Sequence, residues 1–284
     1  MSFSLFLCKT LNRLFPLPRH PFNLHNQGRL TYAQWQYDMG QRTIEFFLEA
    51  ADEKQMFQGK KVLDIGCGAG GKTLYYASKD AAFVYGIDPV EHYKEEAQHL
   101  ARQKGLEEKF SFVTGDAAKM PFEDKSFDTI IMNDAMEHVD RPRPVLMECH
   151  RVLKQGGRLY INFPPYYHPY GAHLSDAIGI PWVHRLFGQE TLIALYKDLV
   201  KDLPDGPRRI DFRIGRSSEG KEYFSYINGM TIGRFEEIIR EIPLEKVYYR
   251  LVPLRRPFGI FAANKVLREY FVKMVVCIME KGEE

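Results

Sequence analysis

The stretch Asp64-Ile65-Gly66-Cys67-Gly68-Ala69-Gly70-Gly71 closes a short apolar run, and its residue types already narrow the chemistry. Glycines at such a turn let the backbone reverse sharply and let a ligand approach with no Cβ in the way. Gly66, Gly68 and Gly71 also satisfy the dinucleotide pattern G-x-G-x-x-G, so the loop alone admits two cofactor classes. Asp64 weighs between them. A carboxylate beside the place of a pyrophosphate would repel it, but it suits an ammonium or the water around one. Asp88 ends the next apolar run, where a carboxylate can accept both hydroxyls of a ribose from either cofactor. Asp116 and the pair Asn133-Asp134 end two further runs.

Proton transfer has separate candidates. Histidine titrates near neutrality, so His138, His168 and His173 are the groups suited to take a proton from an oxygen acceptor. Asp176, three residues after His173, is spaced to orient its ring, and the pair from the Pro- and Gly-rich stretch is the better choice of base. His138 can equally belong to a loop that closes over the cofactor. His168, His173, Asp176 and His184 also read as a metal set, but their spacing matches no compact site and no metal is expected. Arg208, Arg209, Arg213 and Arg216 read as a solvated surface strand. The alternative is a grip on an anionic acceptor.

The elements that must place these residues alternate. KKVLDIG, AFVYGID, KFSFVTGD, FDTIIMND and GRLYINF are short apolar runs suited to buried parallel strands, with helical patterns between them. The alternation predicts an α/β fold: an open parallel sheet with helices on both faces, binding its ligand beyond the carboxyl ends of the strands. TYAQWQYDMGQRTIEFFLEAAD, residues 31–52, reads as a helix before the sheet, and its Tyr32, Trp35 and Tyr37 are candidates for the ligand site or the core.

Asp64 to Gly70, with GID at 86–88, GDAAKMPFEDKSFDTI at 115–130 and EHVDRPRPVLMECHRVLKQGGRL at 137–159, resembles the ordered motifs of class I S-adenosylmethionine-dependent methyltransferases. The branch is the small-molecule one, methyltransferase type 11. The resemblance covers roughly residues 60–163 and implies S-adenosylmethionine as cofactor. It places Asp64, Gly66, Cys67, Gly68 and Gly70 at the methionine end, Asp88 with Pro89 at the ribose, and Asp116 with Ala117 at the adenine edge. Asn133, Asp134 and His138 then face the methyl donor. It also implies a Rossmann-like, mostly parallel seven-stranded sheet, closed by an antiparallel hairpin built from 245–254 and 270–280. A nicotinamide-dependent oxidoreductase and a non-catalytic S-adenosylmethionine-binding partner protein stay open as alternatives.

Asn162-Phe163-Pro164-Pro165-Tyr166 is close to the Asn-Pro-Pro-Tyr stretch of enzymes that methylate amines of flipped-out bases. It is interrupted by Phe163 and falls one strand late. With a net charge of +2 and no evident basic groove, nucleic acid is not an expected partner. Proline ends the fifth strand instead, and residues 164–243 read as a lid inserted over the ligand edge to shape an acceptor pocket. The core is then 31–163 with 244–284, and 1–30 is an N-terminal arm. Phe3, Leu7, Leu11 and Leu14 of that arm fall at helical spacing and are expected to pack on the body, with weak peripheral membrane contact as the alternative. The apolar run there is too short to span a membrane. Four scattered cysteines suit a reducing, cytoplasmic setting. The expected function is methylation of a small-molecule acceptor, at oxygen.

Overall fold

The glycine-ended apolar runs become the middle of one seven-stranded sheet. The computed structural model describes residues 2–18, 23 and 31–282. The strands are β1 (Lys61–Ile65), β2 (Phe83–Asp88), β3 (Phe110–Thr114), β4 (Phe127–Asn133), β5 (Leu153–Phe163), β8 (Glu245–Pro253) and β9 (Val272–Glu280). Their order is β3-β2-β1-β4-β5-β9-β8. The first five run parallel, and β9 is antiparallel to both β5 and β8. The chain winds outward from β1 in both directions, which opens a crevice at the carboxyl ends of β1, β2 and β4.

Both faces of the sheet are covered, so consecutive strand residues are buried on opposite sides. Leu63, Ile130 and Leu159 pack with α7 (Pro142–Val152) and α11 (Ile232–Ile239). Val62, Ile131 and Tyr160 pack with α4 (Glu53–Phe57) and α5 (Gly71–Ala77). A further helix, α6 (Tyr93–Lys104), lies against β3 and ends at Gly105 in the left-handed conformation that a glycine adopts without strain.

The helix expected over 31–52 is two, α2 (Tyr32–Asp38) and α3 (Gly40–Ile44), bent at Met39. The bend seats Gly40 against the Tyr75 ring, where a Cβ would lie 2.1 Å from the ring carbon. Gly71 of the loop is needed for the same contact rather than for a ligand, since a Cβ there would lie 1.9 Å from the Ala33 carbonyl of α2.

Between β5 and β8 the chain builds α8 (Val183–Leu186), α9 (Gln189–Val200), α10 (Gly206–Arg213) and the hairpin β6 (Ile214–Arg216) and β7 (Glu222–Phe224), before α11. Leu174, Ile178, Leu192, Leu195, Tyr196 and Val200 give this segment an apolar core of its own. The N-terminal helix α1 (Phe3–Asn12) rests on α9 through Leu5, Cys8 and Leu11, with Ser4 bonded to Thr191 and Lys9 paired to Asp198. The packed stripe is not the one expected: Phe3, Leu7 and Leu14 face outward with Phe6, and only Leu11 turns inward. The arginine run is a helix rather than a surface strand, because Arg209 and Arg213 are drawn inward onto buried Asp176, at 3.2 and 3.1 Å. Among the described residues no helix is long and apolar enough to cross a membrane.

Candidate functional site

A cavity of about 660 Å³ opens at the carboxyl ends of the parallel strands. Of the residues expected there, Gly66, Gly68, Asp88, Pro89, Asp116, Ala117, Asn133, Asp134, His138 and His173 line it. Asp88 ends β2 beneath the glycine loop. Its two oxygens accept from the backbone N–H groups of Gly68 (2.9 Å) and Val90 (3.0 Å), which hold the carboxylate in one orientation with lone pairs to spare. Burial raises its pKa. Asp116 is bonded to Arg141 at 2.5 Å beside Ala117, and Ile87, Val139 and Val145 add apolar wall.

At the end of β4, Lys72 from α5 bonds Asn133 and lies 3.3 Å from Asp134. Asp134 holds a positive φ of 50°, a conformation that costs a non-glycine residue energy and that concentrates at working sites. Tyr32, Trp35 and Gln36 of α2 also line the cavity, while Tyr37 packs against Tyr75 in the core.

Three expected cofactor residues stand behind the wall. Asp64 is buried, accepts from the Thr73 hydroxyl at 2.6 Å, and is pushed up to about 7 by burial, against the Thr73 bond and Lys72. Its part is to brace the start of α5, because the strand delivers its side chain under the loop. Cys67 is buried against Gly86, and Gly70 is packed on Ala97.

The far end of the cavity joins sheet and insertion. The rings of His138, after β4, and His173, from the insertion, are edge-to-face at 4.8 Å. His138 Nδ1 lies 2.8 Å from the Tyr226 carbonyl, an acceptor, so Nδ1 carries the proton and Nε2 presents a lone pair. Burial lowers the His138 pKa to about 4, which keeps the ring neutral at pH 7. Beneath both rings lies Glu137, 3% exposed, with neither carboxylate oxygen hydrogen-bonded. One of those oxygens is 3.7 Å from His138 Nε2 and 3.8 Å from His173 Nε2. Burial and then the charge of Asp134 raise the Glu137 pKa. Tyr226, Phe212 and Ser225 from the insertion complete this end.

Two proton-transfer expectations fail. His168 is not on the cavity wall: its Nδ1 accepts from the Tyr170 N–H within its own turn. Asp176 does not orient the His173 ring, because its carboxylate is taken by Arg209, Arg213 and the Tyr196 hydroxyl. The set His168, His173, Asp176 and His184 does not converge either. Among the described residues the metal-capable group is Glu137, His138 and His173. Glu137, Lys72 and Tyr226 were missed as site residues. For Glu137 the signal was available, since an acid directly before a histidine follows a strand end in MNDAMEHVD.

The residues present fit S-adenosylmethionine. The oriented Asp88 carboxylate suits ribose hydroxyls, the apolar wall by Ala117 suits a purine, and Lys72 with Asp134 offers both charges to a zwitterionic amino acid end. A family model described as a methyltransferase domain matches residues 63–161. A tocopherol O-methyltransferase, named as probable, from Oryza sativa subsp. japonica is 39% identical over 102 residues, 36% of this chain and 28% of that one. A sterol 24-C-methyltransferase from Pneumocystis carinii is 36% identical over 106 residues, 37% and 28% of the two chains. The chain spans less than half the length of the curated relatives it matches. A solved geranyl diphosphate methyltransferase in complex with S-adenosylmethionine shares the fold, with a TM-score of 0.54, 16% identity and 85% of each chain covered. Residues 63–161, at the centre of the sheet, therefore match a methyltransferase domain, and the residues lining its cavity fit S-adenosylmethionine as cofactor.

Proposed function

We propose that the protein transfers the methyl group of S-adenosylmethionine to an oxygen of a small, partly apolar acceptor. The observation that carries this reading is the convergence of Asp88, the glycine loop and the His138–His173 pair on one cavity. Bound S-adenosylmethionine supplies an electrophilic methyl group with a good leaving group. Alignment and exclusion of water then supply much of the rate, and a hydroxyl acceptor needs in addition a place for its proton. The imidazole pair is that place: His138 is neutral, with Nε2 held as a lone pair by the Nδ1 contact to Tyr226. Tyr226 and Phe212 stand as flat apolar wall for the acceptor.

In this reading residues 31–163 and 244–284 hold the cofactor, 164–243 cover it and shape the acceptor pocket, and residues 1–30 are an arm. Support comes from the insertion's supplying His173, Phe212, Ser225 and Tyr226 to the wall. Four free, buried cysteines support a cytoplasmic setting, and the small net charge supports a small-molecule acceptor over nucleic acid.

The test is incubation with methyl-labelled S-adenosylmethionine and a panel of phenols, sterols and hydroxylated amines. Label is expected on oxygen, and His173→Ala is expected to lower turnover by roughly two to four orders of magnitude at unchanged cofactor affinity. Label confined to carbon or nitrogen would remove the oxygen reading. Tight cofactor binding with no transfer to any acceptor would favour a donor-binding protein.

A further inference from the structure

We propose that Glu137, His138 and His173 form a binding site for a divalent first-row transition-metal ion, placed to bind and activate the acceptor's hydroxyl. The role in activation rests on the oxygen-acceptor reading above, with the ion taking the place of the imidazole pair as the group that helps the hydroxyl lose its proton; the site itself does not rest on it. One ligand atom from each of the three residues lies within 4.8 Å of the others. The Glu137 oxygen is 3.7 and 3.8 Å from the two Nε2 atoms. A single ion with bonds of about 2.1 Å can bridge donors at such separations with small side-chain movements.

Three features of the corner call for a cation. A carboxylate 3% exposed keeps both oxygens without a hydrogen bond, which is costly unless something positive meets it. The His138 ring is held through Nδ1 by the Tyr226 carbonyl, the support that fixes the tautomer of a metal-bound imidazole and leaves Nε2 to bind. His173 turns toward the carboxylate from a backbone with φ of 53°, so the insertion holds this ring in place at a cost. Two imidazoles and one carboxylate suit manganese, iron, cobalt or zinc better than calcium or magnesium, and three protein ligands leave positions open for a substrate oxygen. A hydroxyl bound there would lose its proton to water more readily. Its oxygen then forms the bond to the methyl carbon as the carbon–sulfur bond breaks, with the electron pair staying on sulfur and no change of oxidation state.

The experiment is titration of tag-free, chelator-stripped full-length protein with Co²⁺, read by visible absorption, beside calorimetry of S-adenosylhomocysteine. One equivalent of Co²⁺ should raise ligand-field bands. His173→Ala and Glu137→Gln should each abolish them, and His173→Ala should leave S-adenosylhomocysteine affinity within about twofold. His173 lies on the insertion, so this variant remains informative if Glu137→Gln does not fold. Absence of the bands in the wild type, or their persistence in His173→Ala, overturns the site. Methyl transfer that survives chelation without such bands would overturn this inference and leave the imidazole-base reading standing. Bands lost with the variants, in a protein that transfers no methyl group, would support the site and remove the reading of its role.

Discussion

The molecule buries carboxylates in two regions and treats them in opposite ways. In the insertion, Asp176 is met by Arg209 at 3.2 Å, Arg213 at 3.1 Å and the Tyr196 hydroxyl at 2.7 Å. At the sheet edge, Asp64, Asp88 and Glu137 are just as buried, yet among the described residues no lysine or arginine pairs with any of them. A buried charge is tolerated when it is paired, and otherwise it takes up a proton or waits for a ligand. Asp176 therefore reads as scaffold and the unpaired Asp88 and Glu137 as site, while Asp64, behind the wall, braces α5 through Thr73. Asp176 touches the site indirectly, because its partner Arg213 also lies 5.0 Å over the ring of Tyr226.

The contrast is broken most forcefully in the insertion. Asp176→Ala would remove the buried carboxylate that Arg209 and Arg213 share, although Arg209 keeps Asp205 at 2.9 Å, and should cost on the order of 3–5 kcal/mol in denaturant unfolding. A loss below about 1 kcal/mol would mean that the network is not structural. On the sheet side the sign is different, because burial of Asp64 outweighs the Thr73 bond and the more distant Lys72 and so penalises the folded protein once the carboxyl ionises. Its pKa is 3.8 as a free group and about 7 here. Between these values the folded chain holds a proton that the unfolded chain has released, so this contribution to stability falls as pH rises from about 4 to 7 and then levels off. The stability of Asp64→Asn relative to wild type should thus grow by up to a few kcal/mol across that window. A difference that stays flat with pH would show Asp64 to be ionised throughout.

The same division separates what the sequence could and could not disclose. The glycine loop, Asp88, Asp116 and Asn133-Asp134 are legible because each sits at the end of a strand, and strand ends in a parallel sheet converge by topology alone. The role of Asp64 was misread because strand alternation sends its side chain beneath the loop, a matter of one residue of register. In the insertion no such rule operates. Whether His168 or His173 reaches the cavity depends on turns inside the segment, and Asp176 was assigned to a neighbour in sequence when its partners lie 33 and 37 positions away. The arginine run reads as surface because nothing local shows that a buried acid awaits it. Glu137 was passed over because its meaning comes from His173, which a different part of the fold supplies.

The central claim is that the sheet edge holds the cofactor while the insertion corner serves the acceptor. Calorimetric affinity for S-adenosylhomocysteine, compared between Asp88→Asn and His173→Ala, tests it most directly. Loss of an oriented, buried carboxylate that accepts hydroxyl hydrogen bonds should cost Asp88→Asn on the order of 2–3 kcal/mol, about 30- to 150-fold in Kd, while His173→Ala binds like wild type. Unchanged affinity in Asp88→Asn, or an equal loss in His173→Ala, would contradict that division of labour.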